Sequence, residues 1–223
     1  MPKATPFSHS SLKSFEGCPL KFYHEKVAKT IPFTDSVHTI YGKELHKAAE
    51  LYIADETPLP EAFAFLQPTL DALVGIPGRK FCEHEMAVTA DLRPCGFKDE
   101  NAYARGIADL LILDDESLTA YVWDYKSGSD KYPDTDQLTL MSLLTFTNYP
   151  HIRMVKSGLL FVVKETIVKH RVELSQAEAM WQNYRERVAV LQRSFETDTW
   201  DPKPNGLCRR HCAVKTCLHN GST

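Results

Sequence analysis

No stretch of this chain approaches eighteen uninterrupted apolar residues, and the opening Met1-Pro2-Lys3-Ala4-Thr5-Pro6 leads into polar sequence instead of an apolar core. Neither a membrane-spanning helix nor a secretory leader is expected, and a cytoplasmic setting follows. An excess of one charge is missing too. The net charge of -3 neither draws the whole molecule to nucleic acid nor forbids it, because a local basic groove can do what the average does not. Internal repeats, low-complexity tracts and long charge runs are absent, which argues against a solenoid and against a disordered arm. What remains is 223 residues, 43% hydrophobic and 25% charged, enough to bury a full core in one domain or one domain with appendages.

The segmental pattern is mixed. Ser8 or Ser10 can cap a short helix through Phe15 that stops near Cys18-Pro19, and a second apolar pattern follows with Leu20, Phe22, Tyr23 and Val27. Asp35 or Ser36 can open a longer helix to about Ala54, and Pro58 to Val74 gives another, interrupted at Pro68. Phe81 to Val88, Tyr103 to Leu113 and Leu118 to Tyr125 read as three successive strands. Asp134 or Thr135 can cap a helix from Asp136 to Asn148, and Gly158 to Val163 and Thr166 to Val172 read as two more strands. Met180, Trp181, Tyr184, Val188, Leu191 and Phe195 then recur at spacings of three and four, the core stripe of an amphipathic helix. The tail from Thr199 is irregular.

The chemistry concentrates on two neighbouring strands. Side chains alternate along a strand, so Asp124 and Lys126 share one face while Trp123 and Tyr125 take the other. The turn signal Asp114-Asp115-Glu116-Ser117 separates the runs carrying Asp109 and Asp124, and a hairpin there brings the two acids together. Two carboxylates and an ammonium suit metal-assisted phosphodiester hydrolysis. Hard oxygen donors favour Mg2+ or Mn2+, and the Tyr125 carbonyl can join Asp109 and Asp124 as a ligand. Lys126 can orient or help deprotonate the attacking water. An Asp-x-Lys triplet alone arises by chance on many strand ends; a second acid at hairpin distance and Gln137-Leu138 on the next helix give it weight.

Upstream, Gly42, His46 and Glu50 stand four residues apart on one helical face. A lone histidine there is ordinarily a surface or core residue, but beside the strand acids it becomes a nitrogen ligand that favours Mn2+ over Mg2+. Glu83 and Glu85 share one strand face, and Glu83 is the preferred extra acid.

With these residues in view the chain resembles the RecB-like nucleases of the PD-(D/E)XK superfamily, and in size it is most similar to small phage exonucleases and the related nucleases of CRISPR adaptation. The likeness takes in Ser10 to Phe22, the helix with Gly42, His46 and Glu50, Gly106 to Asp109, Asp124 to Lys126, the Gln137 helix and the terminal cysteines. It implies an α/β, restriction-endonuclease-like core with a central mixed sheet flanked by helices. His46, Asp109, Asp124 and the Tyr125 carbonyl would hold the catalytic metal, Lys126 would act on the water, Glu83 would be an outer acid and Gln137 would approach DNA. The implied activity is exonucleolytic processing of single-stranded or duplex DNA ends for recombination or repair, with recombination or replication proteins as partners, in the host cytoplasm if the gene is phage-borne. Two rivals accompany it: trimming of spacers in CRISPR adaptation, and a non-catalytic iron-sulfur DNA-binding module. Members often carry a tyrosine four residues after the glutamine, where this chain has Met141, and a proline before the first aspartate, where it has Ala108.

Six cysteines without a secretion signal read as metal ligands or buried thiols before a disulfide framework. Cys208-x3-Cys212-x4-Cys217 supplies three thiolates, and Cys18 is the remote candidate for a fourth; Cys82 and Cys95 read as plain thiols. Four sulfurs fit an iron-sulfur cluster or Zn2+, and His211 and His219 keep a mixed zinc site open. The resemblance points to a 4Fe-4S cluster in which Cys18 and the 199–223 tail clamp the ends of a single nuclease domain spanning 1–223. Arg209, Arg210 and Lys215 among these ligands are either solvated or in contact with phosphates.

Overall fold

Ser8 accepts from the Ser11 amide at 3.3 Å while the Ser11 hydroxyl accepts from the Ser8 amide at 2.8 Å, a reciprocal cap that starts the first helix where the sequence places it. The computed structural model describes residues 6–221. In chain order its elements are α1 His9–Gly17, α2 Pro19–Phe22 with a π-helical turn Tyr23–Val27, α3 Val37–Asp55, a 3-10 turn Glu61–Leu66 and α4 Gln67–Val74. There follow β1 Arg79–Thr89, β2 Pro94–Cys95, β3 Ala102–Asp114, β4 Thr119–Lys126, α5 Asp136–Asn148, β5 Met154–Phe161, β6 Thr166–Glu173 and α6 Ala177–Thr197. The described residues divide into two compact units, one of residues 35–181 and one of residues 6–34 with 182–221.

In the larger unit six strands form one sheet in the order β2-β1-β3-β4-β5-β6, antiparallel throughout except for the parallel pair β4 and β5. The sheet is therefore mixed, with helices as cover. Leu45, Ala48 and Ala49 of α3 and Leu70 and Leu73 of α4 pack with Leu110, Ile112, Tyr125 and Leu160 of the sheet in one cluster. Helix α5 is buried along nearly all of its apolar length, as a helix with no polar face must be, and its Leu138 packs with Leu159 and Phe161. A Cβ at Gly106 would lie 2.5 Å from Met141 Sδ, so the bare glycine lets α5 lie close to β3.

Differences from the sequence-based boundaries have local causes. Pro68 lies in the first turn of α4, where its missing N–H leaves no bond unmade; the interruption falls just before it, at the junction with the 3-10 turn. Thr135 does not cap α5 with its hydroxyl, and Asp134 Oδ1 instead accepts from the Asp136 amide at 3.1 Å. Strand β5 starts at Met154, four residues before the predicted start, because its parallel register with β4 runs from Thr119 opposite Met154, and Ser157-Gly158 does not break it. The two-residue β2 carries no alternation long enough to signal itself.

In the smaller unit an aromatic cluster forms around Trp200, whose ring meets Phe15, Phe22, Tyr23 and Phe195 at centroid separations of 6.4, 6.0, 5.3 and 5.0 Å. Arg187 binds both carboxylate oxygens of Glu16 at 2.6 and 2.9 Å. The α6 stripe is core, as its periodicity predicts: Tyr184, Val188, Leu191 and Phe195 are buried. No helix among the described residues is long and apolar enough to cross a membrane.

Candidate metal centre

The ladder between β3 and β4 runs from Asp114 opposite Thr119 to Leu110 opposite Trp123 and ends there. One step further, Asp109 and Asp124 face each other across strands that are parting. The Tyr125 amide, left without a backbone acceptor by this divergence, donates to Asp109 Oδ2 at 2.7 Å. Tyr125 itself turns into the core with Trp123 beside it, while Asp124 and Lys126 reach the other way to Gln137 on α5. The predicted alternation holds.

Gln137 is an amide bridge. Its Oε1 accepts from Lys126 Nζ at 2.9 Å and its Nε2 donates to Asp124 Oδ1. Lys126 Nζ also lies 2.6 Å from Asp124 Oδ2, but off the line of a hydrogen bond, so that buried oxygen has charge beside it and no aligned donor. The Asp124 side chain is only 10% exposed. Burial and the neighbouring charge of Asp109 raise its pKa above the ordinary carboxylate range, against the opposing pull of Lys126.

From α3, His46 places Nε2 2.9 Å from the Tyr125 carbonyl and Nδ1 3.3 Å from Asp109 Oδ2. Both ring nitrogens thus face oxygen acceptors, an arrangement suited to the imidazolium. Burial alone would lower its pKa, but the hydrogen bond and charge of Asp109, with help from Asp124 and the Tyr125 carbonyl, raise it to about 8.

Glu83 lies on β1 opposite Asp109, the pair missing from the otherwise even register between Arg79 and Val88, and its backbone is left-handed, with φ 46°. Such strain in mid-strand is retained where the surroundings impose it, commonly at functional sites. Burial and the charge of Asp109 raise the Glu83 pKa. His46, Glu83 and Asp109 present ligand atoms all within 4.8 Å of one another. His46 and Glu83 border an open cleft of about 530 Å3 that is also lined by Gly42, Glu50 and Ser127.

The residues predicted from the sequence around Asp109 and Asp124 therefore converge. Glu83 stands beside His46 and Asp109, and Gln137 meets Asp124 and Lys126. Neither contact had a signal in the sequence: the first comes with a left-handed backbone angle and the second needs a helix packed over two strand ends. Oxygen donors with one imidazole fit Mg2+ or Mn2+, and a buried carboxylate oxygen lacking an aligned donor is the kind of group a cation satisfies.

The four cysteines Cys18, Cys208, Cys212 and Cys217 line one pocket of the smaller unit, with His219 at its wall. Backbone amides of Lys203 and Asn205 donate to the sulfurs of Cys18 and Cys208, each at 3.4 Å. His211 does not line it. Among the described residues no three of these sulfur or imidazole atoms come within 4.8 Å of one another, whereas tetrahedral zinc with bonds of about 2.3 Å draws sulfurs to about 3.8 Å. A second cleft in this unit, about 520 Å3, holds the satisfied Arg187 and Glu16 pair and no comparable ligand group among the described residues.

A mixed sheet with helical cover, carrying paired acids and a lysine where two interior strands part, defines a restriction-endonuclease-like α/β protein. The chain belongs to the PD-(D/E)XK nuclease superfamily, which residues 6–217 match. Its class is that of divalent-metal-dependent nucleases, with DNA as substrate. Among solved structures it is similar to one titled "Crystal structure of SSO0001", at 12% identity and a TM-score of 0.45, covering 99% of this chain and 89% of that one. No curated protein sequence matches it.

Proposed function

We propose that this protein is a DNA exonuclease that processes ends for recombination or repair in the cytoplasm, using Mg2+ or Mn2+. The observation that carries the catalytic reading is the convergence of His46, Asp109, Asp124, Lys126 and the Tyr125 carbonyl in one network of contacts. The preference for ends rests on the resemblance to phage exonucleases.

Asp109, Asp124, His46 and the Tyr125 carbonyl would hold the metal, with Glu83 as a further acid at its margin. When bound, the ion supplies positive charge to the phosphate and lowers the pKa of the attacking water. Lys126, an ammonium held beside Asp124 by the Gln137 amide, would donate to and orient that water, whose proton passes to solvent while the leaving oxygen takes one up. Water attacks phosphorus and the 3' oxygen leaves, so the product carries a 5' phosphate. Asp124 and Tyr125 are adjacent in sequence yet project to opposite sides of the strand, one offering a carboxylate and the other only its carbonyl, which lets the tyrosine ring anchor the site in the core.

The cysteine set is proposed to hold a 4Fe-4S cluster. The gathering of the four cysteines around one pocket and the amide hydrogen bonds to two of their sulfurs support a site for it. Purified without oxygen, the protein should contain about four irons per chain, and Cys18→Ser or Cys212→Ser should lose them. Stoichiometric zinc would refute the cluster.

The activity is tested by a Mn2+ time course on DNA with free, 5'-blocked, 3'-blocked and circular ends, with Lys126→Ala alongside. Cleavage of free ends that Lys126→Ala abolishes while DNA binding persists supports the enzyme. Equal cleavage of circles refutes the end preference. No cleavage by either protein supports a DNA-binding module.

A further inference from the structure

The loop from Ser127 to Thr135 joins the strand that carries Asp124 and Lys126 to the helix that carries Gln137. It is pinned in its middle: Thr166 Oγ1 donates to Asp130 Oδ2 at 3.0 Å, and the Lys131 amide donates to Ser129 Oγ at 3.2 Å. Just past this anchor stands Tyr132, 82% exposed. Its large apolar ring is left unburied in a loop flanked on both sides by site residues. Lys131 Nζ lies 5.2 Å from the ring centroid, which sets an ammonium beside it.

Gln137 is five positions on from Tyr132, so the two backbones are at most about 18 Å apart, a few nucleotides along a strand. A flat aromatic face with a neighbouring cation is the pairing that binds unpaired nucleic acid, the ring stacking on a base and the ammonium meeting the phosphate. Duplex bases are already stacked on each other and offer no free face.

We infer that Tyr132 is a stacking platform for an unpaired base of the DNA strand entering the cleft, with Lys131 on an adjoining phosphate, so that the enzyme engages single-stranded ends. This rests on the nuclease reading above and specifies its substrate. Tyr132 positions DNA and touches no reacting atom.

The test uses the full-length protein with a single-stranded oligonucleotide carrying one 2-aminopurine, scanned through successive positions from the end, in Ca2+ to separate binding from cleavage, and then in Mn2+. Stacking should quench the fluorescence at one position, and Tyr132→Ala should abolish that quench and weaken single-strand binding on the order of tenfold. Tyr132→Trp should restore both. In Mn2+ the alanine variant should show a raised KM on single-stranded ends with kcat preserved. Single-strand affinity of Tyr132→Ala within twofold of the parent, or no position-specific quench, overturns the inference. Failure of the parent to cleave any DNA sinks the nuclease reading instead, and the Ca2+ binding data still decide the platform.

Discussion

Lowering the pH from about 8.5 to about 6.5 should weaken Mn2+ binding about 25-fold through His46 alone. In the metal-free site both imidazole nitrogens face oxygens, Asp109 Oδ2 and the Tyr125 carbonyl, and the ring keeps its proton up to about pH 8. A cation that takes His46 as a ligand must displace that proton. The apparent affinity falls by one plus the ratio of protonated to neutral ring, about 30-fold at pH 6.5 and less than twofold at pH 8.5. Asp124, pushed up to about 6 by burial and Asp109, has lost most of its proton within this window and adds little. Titration calorimetry in two buffers of different ionisation enthalpy counts the released protons directly. Close to one should be released per Mn2+ near pH 7, and His46→Ala should abolish both the slope and the release. A flat affinity profile with no release would show that His46 stays a charged hydrogen-bond donor beside the metal and is not its ligand.

The same proton makes the metal-free fold pH-sensitive. Its pKa is higher folded than unfolded, so it contributes up to about 2 kcal/mol below pH 6.5, lost as the pH rises through about 8; urea denaturation in EDTA at the two extremes measures it, and His46→Ala should flatten the difference. Gln137→Leu removes the amide that holds Lys126 to Asp124 and should lower kcat by about 10- to 100-fold with a smaller change in KM; a change in KM alone would mark Gln137 as a DNA contact only. Gly158→Val puts carbon where a Cβ already lies 2.5 Å from Trp123 Cζ3 in the neighbouring strand, and should cost about 1 to 3 kcal/mol, read as a lower midpoint in thermal unfolding.

Much of the sheet could be read residue by residue because its information is local. The two-residue period puts Asp124 with Lys126 and separates both from Tyr125, and the turn at Asp114 to Ser117 sets the hairpin that brings Asp109 opposite Asp124. Caps and prolines fixed helix starts within a few residues for the same reason. The strand boundary at Met154 was harder, since a glycine-containing strand buried on the interior of a sheet does not alternate.

What the chain's order could not decide is anything resting on contacts between distant segments. His46 meets the Tyr125 carbonyl across 79 residues only because α3 packs on the sheet through Leu45, Ala48 and Ala49. Gln137 bridges Asp124 and Lys126 only because α5 is seated over the ends of those strands, and Glu83 turns toward His46 and Asp109 on a left-handed backbone that no local propensity selects. Periodicity settles which way a side chain points along its own element; packing settles what it meets.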